Sequence, residues 1–317
     1  MSTSAPLIFE PLFMERVWGG RQLQSLFHKA LPNGTPVGES WEIVDREAAQ
    51  SIVHLGARRG ISLHELWTSQ RREIFGPAYE SHPSPRFPIL IKLLDARERL
   101  SLQVHPPAAI APSLGGEPKT EMWYFVDTQP GATIHVGLKA GVTRTQFESL
   151  LRAGQVAEAV PTLPVEAGDS IFIPSGRLHA IGGGSVLVEV QQNSDTTYRV
   201  FDWNRTGLDG HPRTLHIEES LAATDFNDFE PGLHHRTEGI LADCSFFKVE
   251  KIALTESISG ASHGQFAIII VLTGIVTCGE TNFSAGNVFL VPASSVETKI
   301  TPGSGTSEIL RCTLPAS

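Results

Sequence analysis

One stretch of this chain occurs twice, and the repeat limits the fold more than any single element does. Gly168-Asp-Ser-Ile-Phe-Ile-Pro-Ser-Gly-Arg-Leu-His179 aligns without a gap on Gly286-Asn-Val-Phe-Leu-Val-Pro-Ala-Ser-Ser-Val-Glu297, sharing the glycine, the apolar run and the proline. A glycine to turn the chain, a short apolar strand and a proline to end it make one β unit, so two copies predict two similar β units in tandem. Residues 223–238, polar and containing Asp-Phe-Asn-Asp-Phe-Glu-Pro-Gly, read as the linker between them. The expected organisation is a first domain over residues 1–225, with N-terminal strands and short helices, and a second over residues 226–317.

The rest of the pattern agrees. Leu100, Leu102 and Val104 alternate with Ser101, Gln103 and His105, and Val186, Val188 and Val190 alternate with Leu187, Glu189 and Gln191, which is the period of a strand. Twenty-nine glycines and 21 prolines in 317 residues supply many turns between short elements. Helical spacing is confined to two places. Leu63, Leu66, Trp67 and Ile74 form a stripe over residues 62–75, and Thr143-x-x-Gln146 is a capping box ahead of Phe147, Leu150 and Leu151, with a stop at Gly154. The fold class expected is all-β with a few short helices.

Charge and composition exclude several classes of partner. A net charge of −9 is the wrong sign for binding nucleic acid, whose phosphates need a basic footprint. The longest apolar run, residues 266–272, falls far short of the roughly 20 residues a membrane-spanning helix needs. Residues 1–13 lack a basic head followed by an apolar core, so no secretion signal and a cytoplasmic location are expected. Cys244, Cys278 and Cys312 are odd in number and far apart, which reads as buried thiols and not a disulfide framework.

The chemistry gathers in three places. Gln103 and His105, two apart on a strand, face the same side, while Leu102 and Val104 pack behind them. Lys119 and Glu121 repeat that spacing after a loop over residues 106–118 that holds four prolines and two glycines. His179 follows the turn Pro174-Ser-Gly176. Two imidazoles, a carboxylate and an amide oxygen can converge on one cation, and mixed N/O ligation of this kind suits Zn²⁺, Fe²⁺ or Mn²⁺.

Gly168-x5-Pro174-x-Gly176-x2-His179 resembles the second signature motif of the cupins, with Gly183 where an Asn is usual and Gln103-x-His105 in place of the first motif's His-x-His. More of the chain is similar to the type I mannose-6-phosphate isomerases in their short bacterial form. The matching segments are Glu15-Arg-Val-Trp-Gly-Gly20, Gly38-Glu-Ser-Trp-Glu-Ile43, Ile91-Lys-Leu-Leu-Asp95, Leu102-Gln-Val-His-Pro106, Lys119-Thr-Glu-Met-Trp123, the Gly168 to His179 motif and Thr197-Tyr-Arg-Val-Phe-Asp-Trp-Asn-Arg205. The resemblance implies a tandem cupin, that is, two jelly-roll β-barrels. It also implies one Zn²⁺ per chain, other divalent metals being possible, with Gln103, His105, Glu121 and His179 as ligands and Arg199 and Lys119 as catalytic residues. Longer members carry a His immediately before that Lys, where this chain has Pro118.

The implied activity interconverts mannose 6-phosphate and fructose 6-phosphate through an enediolate, which needs an electrophile for the developing charge and a group to carry the proton. Arg199 suits the first task, and Lys119, its pKa lowered beside a cation, suits the second. The implied partner is a small sugar phosphate, with no nucleic acid or membrane and the oligomeric state open. Two other readings remain. An Fe(II) cupin dioxygenase has no use for Gln103 and Lys119, and a sugar-binding metal cupin acting as a sensor has no use for an intact proton carrier. Trp18, Trp41 and Lys92 are given no chemical role. The second repeat, with Glu297 in the place of His179 and no Gln-x-His before it, reads as a metal-free barrel.

Overall fold

The computed structural model describes residues 5–261, 264–295 and 298–315. Glu297, the second repeat's counterpart of His179, lies outside the described residues. Both repeat glycines take the left-handed conformation their turn requires, Gly168 at φ 95° and Gly286 at φ 81°. Each is followed two residues later by its strand, Ser170–Ile173 or Val288–Val291.

The strands form four antiparallel sheets arranged as two double-sheet jelly rolls. In the first, a six-stranded sheet runs in the order Leu12–Gly20, Val37–Ile43, Ile89–Ala96, Ser185–Gln192, Glu121–Thr128, Ser170–Ile173. A five-stranded sheet in the order Tyr198–Phe201, Leu102–Val104, His179–Ile181, Thr133–Val136, Thr162–Pro164 faces it. The second jelly roll has a six-stranded sheet containing Ala267–Thr273, Ser307–Thr313 and Lys248–Leu254, and a four-stranded sheet. Leu7–Ile8, from the start of the chain, pairs with Val288–Val291 and so joins the C-terminal sheet.

Strand periodicity explains the packing, because both faces of the first six-stranded sheet are buried. Ile89, Ile91, Leu93, Val186, Val188, Val190 and Met122 pack against Phe247, Val249, Phe266, Ile268 and Ile270 of the C-terminal sheet. The intervening Leu94, Ala96, Leu187, Trp123 and Phe125 point the other way and meet Ile134, Val136 and Ile181 inside the first barrel. A sheet covered on both sides reads as nearly continuous apolar sequence, so a charge inside such a run has to answer to something in the interior. The second barrel is filled by its own apolar core, with Phe283 and Phe289 stacked at 3.8 Å between ring centroids.

The helical expectations divide. Thr143 caps Arg144–Arg152 with both halves of the capping box, and the helix stops before the left-handed Gly154. The single helix expected over residues 62–75 is instead two, Leu63–Ser69 and Arg71–Ile74, separated at Gln70 with φ −124° and ψ 24°. Positions eight apart in a straight helix are about 12 Å apart along its axis, whereas the break brings the rings of Trp67 and Phe75 to 5.0 Å in the cluster with Phe87 and Phe266. Of the thiols, Cys278 and Cys312 are buried and Cys244 only partly so, and all three are free. Residues 223–238 lie along the first barrel, tied by the bridges Leu138 to Phe229 and Ser170 to His234 and by a two-bond contact between Arg177 and Asp228.

Candidate metal centre and active-site cavity

The five-stranded sheet sets one row of the site. Arg199 and His179 each pair with Gln103 from opposite sides, so the three side chains emerge from neighbouring strands on one face. His105 follows on from the Gln103 strand with the same phase. Glu121 opens its own strand in the facing sheet.

Local hydrogen bonds fix how the rings point. His105 Nδ1 donates to the Thr196 carbonyl at 2.8 Å and His179 Nδ1 donates to the Arg177 carbonyl at 2.9 Å. With the proton on Nδ1, each Nε2 keeps its lone pair and turns it toward Glu121, at 3.4 Å for His105 and 3.6 Å for His179. The three donor atoms lie within 4.8 Å of one another, and all three residues are buried. His105 Nε2 and Glu121 Oε1 are buried without a partner, a costly arrangement unless a cation takes their lone pairs, while Glu121 Oε2 faces the Lys119 ammonium. The donor set therefore fits a divalent metal. The Gln103 amide lies 3.2 Å from His179 Nε2, and a half-turn of that amide presents its oxygen to the same point.

Electrostatics keep these groups in the ligand form. Burial, with Lys119 close by, holds His105 down to about 4, and burial holds His179 below its ordinary value against the pull of Glu121. Burial alone would raise Glu121, but Lys119 and the two histidines outweigh it and keep the carboxyl well below the usual carboxylate range. Lys119 Nζ lies 2.6 Å from Glu121 Oε2 as an ion pair without hydrogen-bond geometry.

Gln103 and Lys119 also line a cavity of about 530 Å³, which Arg199 lines as well. Among the described residues, Arg199 is the one cation on that wall with no carboxylate ion pair. Its Nη1 donates to the Thr214 carbonyl at 2.8 Å, while Nε is buried without a partner. The structure thus brings together Gln103, His105, Glu121 and His179, and sets Lys119 and Arg199 on the wall beside them.

Sequence reasoning passed over a second set of charges on the same wall. Lys92, 4% exposed, pairs with Glu189 at 3.1 Å, and Trp123 Nε1 donates to Glu189 at 3.2 Å. Glu39 accepts from Arg16 at 3.2 and 3.1 Å and from Trp41 Nε1 at 2.7 Å. Burial pushes the Glu39 carboxyl up, but Lys92, Arg16 and these hydrogen bonds prevail and hold it at about 2. From Arg16 through Glu39, Lys92, Glu189 and Lys119 to Glu121, charges of alternating sign line one side of the barrel. The available signal was a lone charge inside an otherwise apolar strand, in Ile-Leu-Ile-Lys92-Leu-Leu and Val-Leu-Val-Glu189-Val. Trp18, given no chemical role from sequence, lines the cavity, and Trp41 touches the charged row through its hydrogen bond to Glu39.

Known proteins are similar to this chain over nearly its whole length. A model of the catalytic domain of type I phosphomannose isomerase matches residues 7–134. The mannose-6-phosphate isomerase ManA of Bacillus subtilis is 35% identical over 311 residues, covering 94% of this chain and 96% of that protein. The chain belongs to the type I mannose-6-phosphate isomerase family. A family relative, the mannose-6-phosphate isomerase of Streptococcus mutans, is 36% identical over 277 residues, covering 84% of this chain and 85% of that protein. The crystal structure of the mannose 6-phosphate isomerase from Bacillus subtilis matches with a TM-score of 0.84 at 29% identity, over 98% of this chain and 100% of that one, and bears out the tandem cupin fold. A mannose 6-phosphate isomerase bound with zinc and yttrium, 18% identical with a TM-score of 0.74 over 98% of this chain and 99% of that one, shares the fold. Among the described residues, no helix is long and apolar enough to cross a membrane.

Proposed function

We propose that this family member interconverts mannose 6-phosphate and fructose 6-phosphate, with one zinc ion per chain held by Gln103, His105, Glu121 and His179. The observation that carries the reading is the pair of buried, unpartnered atoms His105 Nε2 and Glu121 Oε1, facing His179 beside a cavity with one unneutralised guanidinium. Zinc bound there supplies a Lewis acid for the sugar's carbonyl and hydroxyl oxygens. Arg199, permanently charged and free of a carboxylate, meets the negative charge that develops as the C2 proton leaves. Lys119, on the cavity wall beside Glu121, serves as the neutral amine once a metal takes over its place on that carboxylate: it accepts the C2 proton, becoming the ammonium, and returns it to C1. The division into a catalytic unit, residues 1–225, and a metal-free barrel, residues 226–317, belongs to the same proposal, with Leu7–Ile8 tying the two. So does a cytoplasmic location, which the three free thiols support.

The test is a coupled assay for fructose 6-phosphate formed from mannose 6-phosphate, before and after chelation and after zinc is restored. Activity should vanish and return, and in heavy water the product should carry deuterium at C1. A zinc-loaded protein that neither isomerises nor exchanges would overturn the proposal.

A further inference from the structure

Beyond Arg199 the chain doubles back at the rim of the cavity. Trp203 and Asn204 both sit in the left-handed region, at φ 58° and 56°, which side chains with a Cβ adopt only against steric resistance. Surrounding contacts hold them there. Trp203 Nε1 donates to the Leu100 carbonyl at 2.6 Å, the Arg99 guanidinium lies 4.6 Å over the Trp203 ring, and Arg205 Nη1 donates to the Arg99 carbonyl. The reversal, with the short loop closed by the Thr206 to Pro212 bridge, brings Arg205 and Arg213 onto one carboxylate. Asp202, 5% exposed, accepts from Arg205 Nε at 2.9 Å and from Arg213 at 2.7 and 2.6 Å.

The residue after Arg213 is Thr214, whose carbonyl accepts from Arg199 Nη1 at 2.8 Å. A guanidinium that has to meet negative charge on a substrate loses that ability when a carboxylate neutralises it, so a neutral carbonyl suits the task of aiming it. The carbonyl must itself be held still, and the Asp202 carboxylate does this one step removed, with its charge answered by Arg205 and Arg213. We infer that Asp202 is a positioning residue: by clamping Arg213 it fixes the Thr214 carbonyl that aims Arg199 into the cavity. This rests on the isomerase reading above.

A double-mutant cycle with Arg199→Lys tests it in the zinc-loaded full chain. Asp202→Asn should lower kcat by at least about tenfold, with zinc content unchanged and KM within about twofold, but change kcat less than about twofold when Arg199→Lys is already present. Arg213→Lys breaks the same clamp from its other side and should show the same coupling, so the cycle stands even where Asp202→Asn fails to fold. If the two substitutions lower kcat by independent factors that simply multiply, Asp202 serves only to hold the loop and the inference is overturned. A zinc-loaded parent that does not isomerise mannose 6-phosphate marks the other failure, that of the isomerase reading, and the inference falls with it.

Discussion

Glu121 has two possible counter-charges, and replacing Lys119 with Met separates them. Lys119 Nζ lies 2.6 Å from Glu121 Oε2 and 3.8 Å from Glu189 Oε1. At an effective dielectric of about 20 the closer contact is a gross attraction of about 6 kcal/mol, much of it offset by taking both charges out of water. Breaking such a buried pair from one side costs about 3–5 kcal/mol, because the remaining charge is left uncompensated. In the metal-stripped protein, Lys119→Met should therefore lose about 3 kcal/mol of stability. With zinc bound, the ion itself answers Glu121, and the loss should shrink to about 1 kcal/mol. Folding and binding close a thermodynamic cycle, so the difference of about 2 kcal/mol has to appear as zinc affinity, roughly 30-fold tighter in the variant. Urea unfolding of stripped and zinc-loaded forms gives one side of the cycle, and competition with a chromogenic chelator gives the other. The variant should also fail to place deuterium at C1. A variant that binds zinc no tighter than its parent, or loses equal stability with and without metal, would refute the view that ammonium and metal compete for one carboxylate.

Three further outcomes are expected. His105→Ala and His179→Ala should each reduce bound metal to less than about a tenth of the parental content, while Cys278 and Cys312, buried in the C-terminal barrel, stay protected from a thiol reagent; full metal occupancy in either variant would remove it from the ligand set. Arg199→Lys keeps the charge but loses the planar fork, so turnover should fall at least about tenfold with metal content unchanged, and parental turnover would leave Arg199 without a catalytic role. The metal-stripped protein should lose stability as pH falls from about 6.5 to about 4. His105 is held down to about 4 when folded, so in that window the unfolded chain binds the extra proton and acid favours it. Glu39, held at about 2 against an ordinary value of 4.5, adds a further loss only below about pH 4.5. Urea midpoints that stay level between pH 7 and 4.5 would contradict the His105 assignment.

The convergence of Gln103, His105, Glu121 and His179 was legible because each of them sits at a place the sequence marks. Gln103 and His105 share a strand phase, Glu121 begins an apolar strand, and His179 closes a Gly-Pro-Gly pattern whose turn residues can be read directly. Lys92, Glu189 and Glu39 were not legible in the same way. They sit in runs such as Ile-Leu-Ile-Lys-Leu-Leu, where residues of both phases are buried, and only the order of strands in the sheet tells which phase faces the cavity and which faces the second barrel. The break at Gln70 and the pairing of Leu7–Ile8 with the C-terminal sheet likewise depend on partners remote in sequence, the aromatic cluster and Val288–Val291. Asp202 falls within the segment Thr197 to Arg205 that resembles the family, yet its clamp needs two consecutive left-handed residues that no sequence rule assigns to Trp-Asn.

The central sheet, buried on both faces, makes the two barrels one mechanical object. Lys92 stands between Ile91 and Leu93, Glu189 between Val188 and Val190, and Glu121 beside Met122, so each site residue is one peptide bond from a side chain seated against the C-terminal sheet. A cut near residue 225 would keep the cluster of His105, Glu121 and His179 and still strip the backing from the wall that carries three of these charges. It would expose a broad Ile and Val surface to water, a surface prone to self-association. The C-terminal barrel is thus the anvil for the barrel that carries the cavity. Anyone seeking a smaller catalyst from this scaffold must redesign that sheet face before shortening the chain.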